Sequence, residues 1–215
     1  MSLVRHMIIS AVLLGLFAIV GTAMVALIHD ATAERIAANH REFLLKSLHI
    51  LVPPEQHDND LFTDVITVTN KELLGTHKPV RVYRARRNES PVAAIINAVA
   101  PDGYSGSIEL LVAIRYDGTL AGVRVVKHKE TPGLGDGIDA SRSDWILAFN
   151  NRSLMVPEKK GWAVKRDGGI FDQFTGATIS PRAIVNAVYR SLLYFDTHKD
   201  ELFEMPAMPT EEKAS

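Results

Sequence analysis

Residues 7 to 28, "MIISAVLLGLFAIVGTAMVALI", run 22 positions without a charge or a proline. At about 1.5 Å per helical residue the run reaches roughly 33 Å, enough to cross a bilayer's hydrocarbon core. Behind a six-residue flank, 1–6, it predicts an uncleaved transmembrane helix. A signal peptide is the competing reading, because Ala31, Thr32 and Ala33 form a small-residue site, but its apolar core usually covers only about 7–15 residues. Over 29–52 the apolar positions Ile36, Phe43, Leu44, Leu48 and Leu51 recur at helical spacing, with Asp30 as a start signal and Pro53-Pro54 as a stop. A stalk or first helix is expected there.

From 53 to 204 the pattern is that of one folded domain. "DVITVT" (64–69), "VRVYRA" (80–85) and "PVAAIINAVA" (91–100) predict strands. "SIELLVAIRY" and "TLAGVRVVKH" flank Asp117-Gly118, a dipeptide suited to the positive φ of a tight hairpin. A short helix over 140–150, a strand over 161–169 and a last helix over 181–195 complete the set, the last carrying Ile184, Val188, Leu192 and Phe195 on one face. Strands in the middle with helices around them give an α+β fold. The tail 205–215 lacks apolar periodicity and is expected to be frayed.

Composition narrows the chemistry. With 24 Lys and Arg against 25 Asp and Glu and no basic stripe, nucleic acid is not an expected partner. There is no cysteine, which removes disulfides, thiolate catalysis and self-ligated iron–sulfur clusters, so a redox role would need an organic cofactor. The eight histidines show no metal-ligand spacing, and no metal site is expected. Asp58 and Asp60 are more ordinary as turn formers, and His128 as a strand-end surface residue. Arg5 precedes the apolar run while Arg35, Arg41 and Lys46 follow it, so the charge flanks leave orientation open.

Two segments stand apart. In "ETPGLGDG" (130–137), Gly133, Gly135 and Gly137 let backbone approach a ligand closely and can aim N–H groups at an anion, yet the spacing is neither a dinucleotide fingerprint nor a P-loop. In "FDQFTGATIS" (171–180), Asp172, Thr175, Gly176, Ala177 and Thr178 precede Ser180, read as the cap of the last helix, and Pro181 at its first position. On that reading the first free donors are the N–H groups of Arg182 and Ala183, and a phosphate at this corner would also meet the Arg182 side chain. Taken residue by residue, both segments are plain turns.

Taken together, "DQFTGAT" (172–178) matches the D-x-x-[ST]-G-A-T acceptor pattern of proteins that carry FMN esterified through its phosphate to the last threonine. "GYSG" (103–106), "HKETPGLG" (128–135) and Trp145 belong to the same pattern. Over nearly its whole length the chain resembles the G subunit of the Rnf (Rsx) electron transport complex, and is more distantly similar to the C subunit of the sodium-pumping NADH:quinone reductase.

The resemblance implies a transmembrane helix followed by a mixed α+β FMN-binding domain. It implies FMN on Thr178, installed from FAD by a separate flavin transferase, with Asp172 either part of what that enzyme reads or a group that helps orient the hydroxyl. Glu130, Thr131, Gly133, Leu134 and Gly135 would border the flavin, with Tyr104, Leu134 and Trp145 as apolar walls. It further implies electron relay between ferredoxin and NAD within a complex of other membrane subunits, at a bacterial inner membrane with the domain on the periplasmic side. The alternatives are the quinone-reductase counterpart and an anchored binding or scaffold domain without flavin.

Overall fold

The computed structural model describes residues 2–208. Helix α1 (Ser2–Leu51) is one uninterrupted helix. The chain divides into two compact units, one up to Lys46 and one from Ser47 onward. In the first, α1 is long and apolar enough to cross a membrane, and its apolar side chains through Ile28 are exposed. The separate helix start expected at Asp30 is absent. No glycine or proline lies between Thr22 and Val52, and Ala31, Ala33 and Glu34 are good helix formers, so nothing there stops the helix.

The second unit is an antiparallel meander of β1 (Val65–Val68), β2 (Val80–Arg87), β3 (Ser90–Ala100), β4 (Ile108–Arg115) and β5 (Leu120–Lys127), in that spatial order. Alternation assigns the faces. Val82, Ile96, Leu110 and Val112 point to one side and join the core with Ile184, Val188, Leu192 and Phe195 of α3 (Ile179–Glu204). Tyr83, Ile95 and Leu111 point to the other and are also buried, as are Leu48 and Leu51 at the end of α1. A Cβ on Gly122 would lie 2.9 Å from Leu51 Cδ2, so the glycine lets that helix end sit close to β5. Sheet and helices are segregated as an α+β domain.

Turn chemistry sets the register. The β4–β5 connection uses Gly118 at φ +87°, with its N–H bonded to Arg115 O, while Asp117 stays out of the left-handed region. Only one of the two expected residues takes a positive φ, because the loop spans three residues rather than two. A short helix α2 (Lys71–Leu74), not anticipated from periodicity, is capped by Asn70 and closed by Gly75.

Two further expectations are corrected. Residues 144–149 form a 3-10 helix, with Ser143 Oγ accepting the Trp145 N–H at its start. The segment 161–169 forms no strand beyond a single bridge from Val164 to Phe171. Gly168 at φ +88° turns the chain, and Gly169 sits where a Cβ would be 1.9 Å from Ala163 O. The segment folds back to stack Phe149 on Phe171, 4.5 Å between centroids, with Trp162 alongside.

The first tail residues are held down. Buried Arg84 pairs with Asp64 and donates to Leu202 O and Met205 O; Arg86 bonds Asp64 and Phe203 O; Met208 N–H donates to Val65 O. These arginines satisfy carbonyls that the end of α3 leaves open. Residues 209–215 of the expected frayed tail lie outside the described residues. Asp64→Ala, which strands a guanidinium only 2% exposed, is expected to cost about 3–5 kcal/mol in denaturant unfolding followed by far-ultraviolet circular dichroism.

Candidate functional site

The β4–β5 hairpin brings the two halves of the site together. Because Glu109 pairs with Lys127, the segment entering β4 and the segment leaving β5 emerge at the same end of the sheet. "GYSG" therefore stands beside "HKETPGLG", and the start of α3 meets both. Between them lies a cleft of ≈ 190 Å³ lined by Tyr104, Glu130, Thr131, Leu134 and Gly135 from the loops and by residues 176–180.

Each loop has the turn its sequence requires. In Thr131-Pro132-Gly133-Leu134 the Leu134 N–H bonds Thr131 O and Gly133 takes φ +77°, a type II turn with proline and glycine at their preferred places. In Phe174-Thr175-Gly176-Ala177 the Ala177 N–H bonds Phe174 O and Gly176 takes φ +82°, a second type II turn. The turns touch: a Cβ on Gly176 would lie 3.8 Å from Leu134 Cδ2.

Three donors of the glycine-rich loop are turned inward. Gly133 N–H goes to Asp136 Oδ1 at 2.8 Å, and the N–H groups of Leu134 and Gly135 go to Thr131 O, each at 3.1 Å. The loop presents Leu134, 51% exposed, to the cleft. With Tyr104, 70% exposed, it gives the cleft an apolar rim that packing does not explain.

Thr178, not Ser180, is the N-cap of α3, and its hydroxyl makes no capping bond. The buried Ser180 hydroxyl donates to Glu130 Oε2. Arg182 N–H is already bonded to Thr178 O, and Pro181 has no N–H, so Ile179 and Ser180, rather than Arg182 and Ala183, supply the donors that precede the ladder. The Arg182 side chain is committed elsewhere. It grips Asp167 through two bonds of 2.6 and 2.9 Å, and this hydrogen bonding holds the Asp167 carboxyl below the usual carboxylate range.

Other expected residues fall outside the cleft. Gly133 and Thr175 line a second, shallower opening with Phe174 and Arg142, on which Leu134 also borders. Asp172 pairs with Lys165 at 2.6 Å on the surface. Trp145 supports the acceptor segment: its Nε1–H donates to Asp172 O at 2.7 Å and its ring meets Phe174 edge-on at 5.5 Å. His128 Nδ1 accepts the Glu130 N–H, while Asp58 and Asp60 accept the N–H groups of Asn88 and Phe62. Among the described residues no group of three or more His, Cys, Asp or Glu is placed to hold a metal.

Residues 103–193 match the family described as FMN-binding domain, and residues 1–51 that described as RnfG N-terminal region. The chain is 49% identical over 194 residues to the G subunit of the ion-translocating oxidoreductase complex of Pseudoalteromonas atlantica, covering 90% of each. It is 47% identical over 203 residues to that of Shewanella loihica, covering 94% of this chain and 96% of the relative. The Pseudomonas aeruginosa protein of the same name is 48% identical over 198 residues, covering 92% of each. The chain belongs to the family of these G subunits.

The FMN-binding match opens at Gly103, the first residue of "GYSG", and closes within α3, so it encloses the whole cleft. The cleft suits part of such a cofactor: an apolar rim for a ring, an uncapped hydroxyl, and a helix start for an anion. Its ≈ 190 Å³ falls below the ~300–1,000 Å³ of sites that bury a whole ligand, so a flavin ring here would stay largely exposed. Sequence reasoning missed the support given by Lys165 and Phe174, and Ile179 on the rim; Lys165 lies outside the motifs, and Phe174 and Ile179 occupy positions within 171–180 that the pattern leaves unspecified.

Trp145→Phe keeps the ring and deletes the bond to Asp172 O, an expected loss of about 1 kcal/mol. Hydrogen exchange should show faster opening over 171–175 with β3 and β4 unchanged.

Proposed function

We propose that this chain is the FMN-carrying electron relay of a membrane-bound, redox-driven ion-translocating oxidoreductase complex, with FMN joined through its phosphate to Thr178. The observation that carries the reading is the position of Thr178. An uncapped hydroxyl stands at the start of α3, beside a left-handed Gly176 turn, on a cleft with an apolar rim. Family membership and the FMN-binding match over 103–193 support it.

Attachment requires a second enzyme, since a threonine hydroxyl is not a nucleophile at neutral pH without activation. A flavin transferase using FAD supplies the step. The threonine oxygen forms a bond to the riboflavin-side phosphorus, the phosphoanhydride breaks, and AMP leaves while the hydroxyl proton passes to a base of that enzyme. The exposed Gly176 turn suits delivery of Thr178 into a foreign active site. Asp172, paired only with surface Lys165, is accessible for that enzyme to read.

When bound, FMN supplies the electron transfer, and the protein attaches, orients and partly covers it. Ile179 and Ser180 would offer N–H groups to the phosphate, and Tyr104 and Leu134 apolar surface to the ring. The relay runs within a pathway linking ferredoxin and NAD, through other membrane subunits of the complex. Helix α1 anchors the chain in a bacterial inner membrane, with the domain on the periplasmic side, where a covalent tether prevents loss of the cofactor.

Intact mass and peptide mapping of protein produced with the transferase test the reading. The expected result is an FMN adduct on the peptide containing Thr178, absent from Thr178→Val. No adduct, with a transferase shown to modify a control acceptor, would overturn the attachment.

A further inference from the structure

Glu130 is 4% exposed and Ser180 1%, and no lysine or arginine among the described residues pairs with this carboxylate. A buried carboxylate is costly unless hydrogen bonds replace its water. Here they come from two other segments: Ser105 N–H donates to Oε1 at 3.1 Å, and the Ser180 hydroxyl donates to Oε2. The glycines of both motifs fit the same group. A Cβ on Gly103 would lie 3.0 Å from Oε1, and one on Gly135 3.0 Å from Oε2 and 3.1 Å from Ser180 Oγ.

Each contact sits next to a residue of the cleft. Ser105 follows Tyr104, Gly135 follows Leu134, and Ser180 lies two residues after Thr178. Resting on the FMN reading above, we propose that Glu130 is a positioning residue. Its carboxylate ties "GYSG" and "ETPGLG" to the first turn of α3, so that Tyr104 and Leu134 keep a fixed place relative to the cofactor on Thr178.

The test combines two variants with two readouts on the full chain, with and without the cofactor. Glu130→Ala removes both bonds. Glu130→Gln can keep both, its amide oxygen accepting from Ser105 N–H and its NH2 donating to the Ser180 oxygen. In the unmodified protein, Glu130→Ala is expected to speed amide exchange at Ser105, Leu134 and Gly135 at least tenfold, with β3 and β4 within twofold of wild type. In the flavinylated protein, flavin fluorescence anisotropy should fall toward that of the excised flavin peptide. Glu130→Gln should restore both.

Equal acceleration across β3, β4 and the loops would overturn the proposal, leaving Glu130 as a general stability residue. So would wild-type anisotropy in flavinylated Glu130→Ala. Should that variant fail to fold, Ser180→Ala deletes the single bond to α3, and its exchange at Ser105, Leu134 and Gly135 decides in the same way. Absence of any adduct on the wild-type chain counts against the FMN reading alone, and the exchange pattern of the unmodified protein still decides the tether.

Discussion

A buried carboxylate that must be satisfied by hydrogen bonds governs this site. Glu130 lies 50 residues from Ser180 in sequence, and their bond joins the end of the β4–β5 hairpin to the start of α3. Because the acceptor is charged and nearly dry, separating the partners would cost far more than an ordinary surface contact. Thr178, two residues before Ser180, is the N-cap of the same helix, and its hydroxyl makes no capping bond.

The rest of the domain is arranged to keep that corner in place. The meander is buried on both faces, so its edges and hairpin ends are fixed to the core rather than free to shift. Arg84 and Arg86 hold the far end of α3 to β2, leaving the helix tied at both ends. Trp145 supports the segment 171–180 through its bond to Asp172 O and its edge contact with Phe174. By contrast, the two type II turns face outward, with Thr131, Leu134 and Thr175 exposed.

The sheet was legible in the sequence because its strands alternate or run apolar between clear turn signals, and Asp117-Gly118 marked the β4–β5 hairpin at one edge. The last helix was legible from Ile184, Val188, Leu192 and Phe195. The helix over 29–52 and its end before Pro53 were legible; the start expected at Asp30 was not found, because Asp30, a good cap residue, also sits without difficulty inside a helix whose neighbours favour it. The segment 161–169 has a strand-like composition, but Gly168 and Gly169 fold it onto an aromatic stack that only the tertiary structure supplies. At the site, the motifs located the loops. They did not show that the glycine-rich loop turns the N–H groups of Gly133, Leu134 and Gly135 inward, that Arg182 belongs to Asp167, or that Trp145 buttresses Asp172. Those are pairings between segments, and no local spacing encodes them.

If the cleft under Tyr104 and Leu134 receives the cofactor carried by Thr178, the flavin ring must lie against those two side chains. Nuclear Overhauser contacts between the flavin ring methyls and the side chains of the flavinylated protein test this most directly. Contacts to Tyr104 and Leu134 are expected, with none to Arg142. Contacts to Phe174 and Arg142 in the second opening, or to no side chain of the domain, would contradict it.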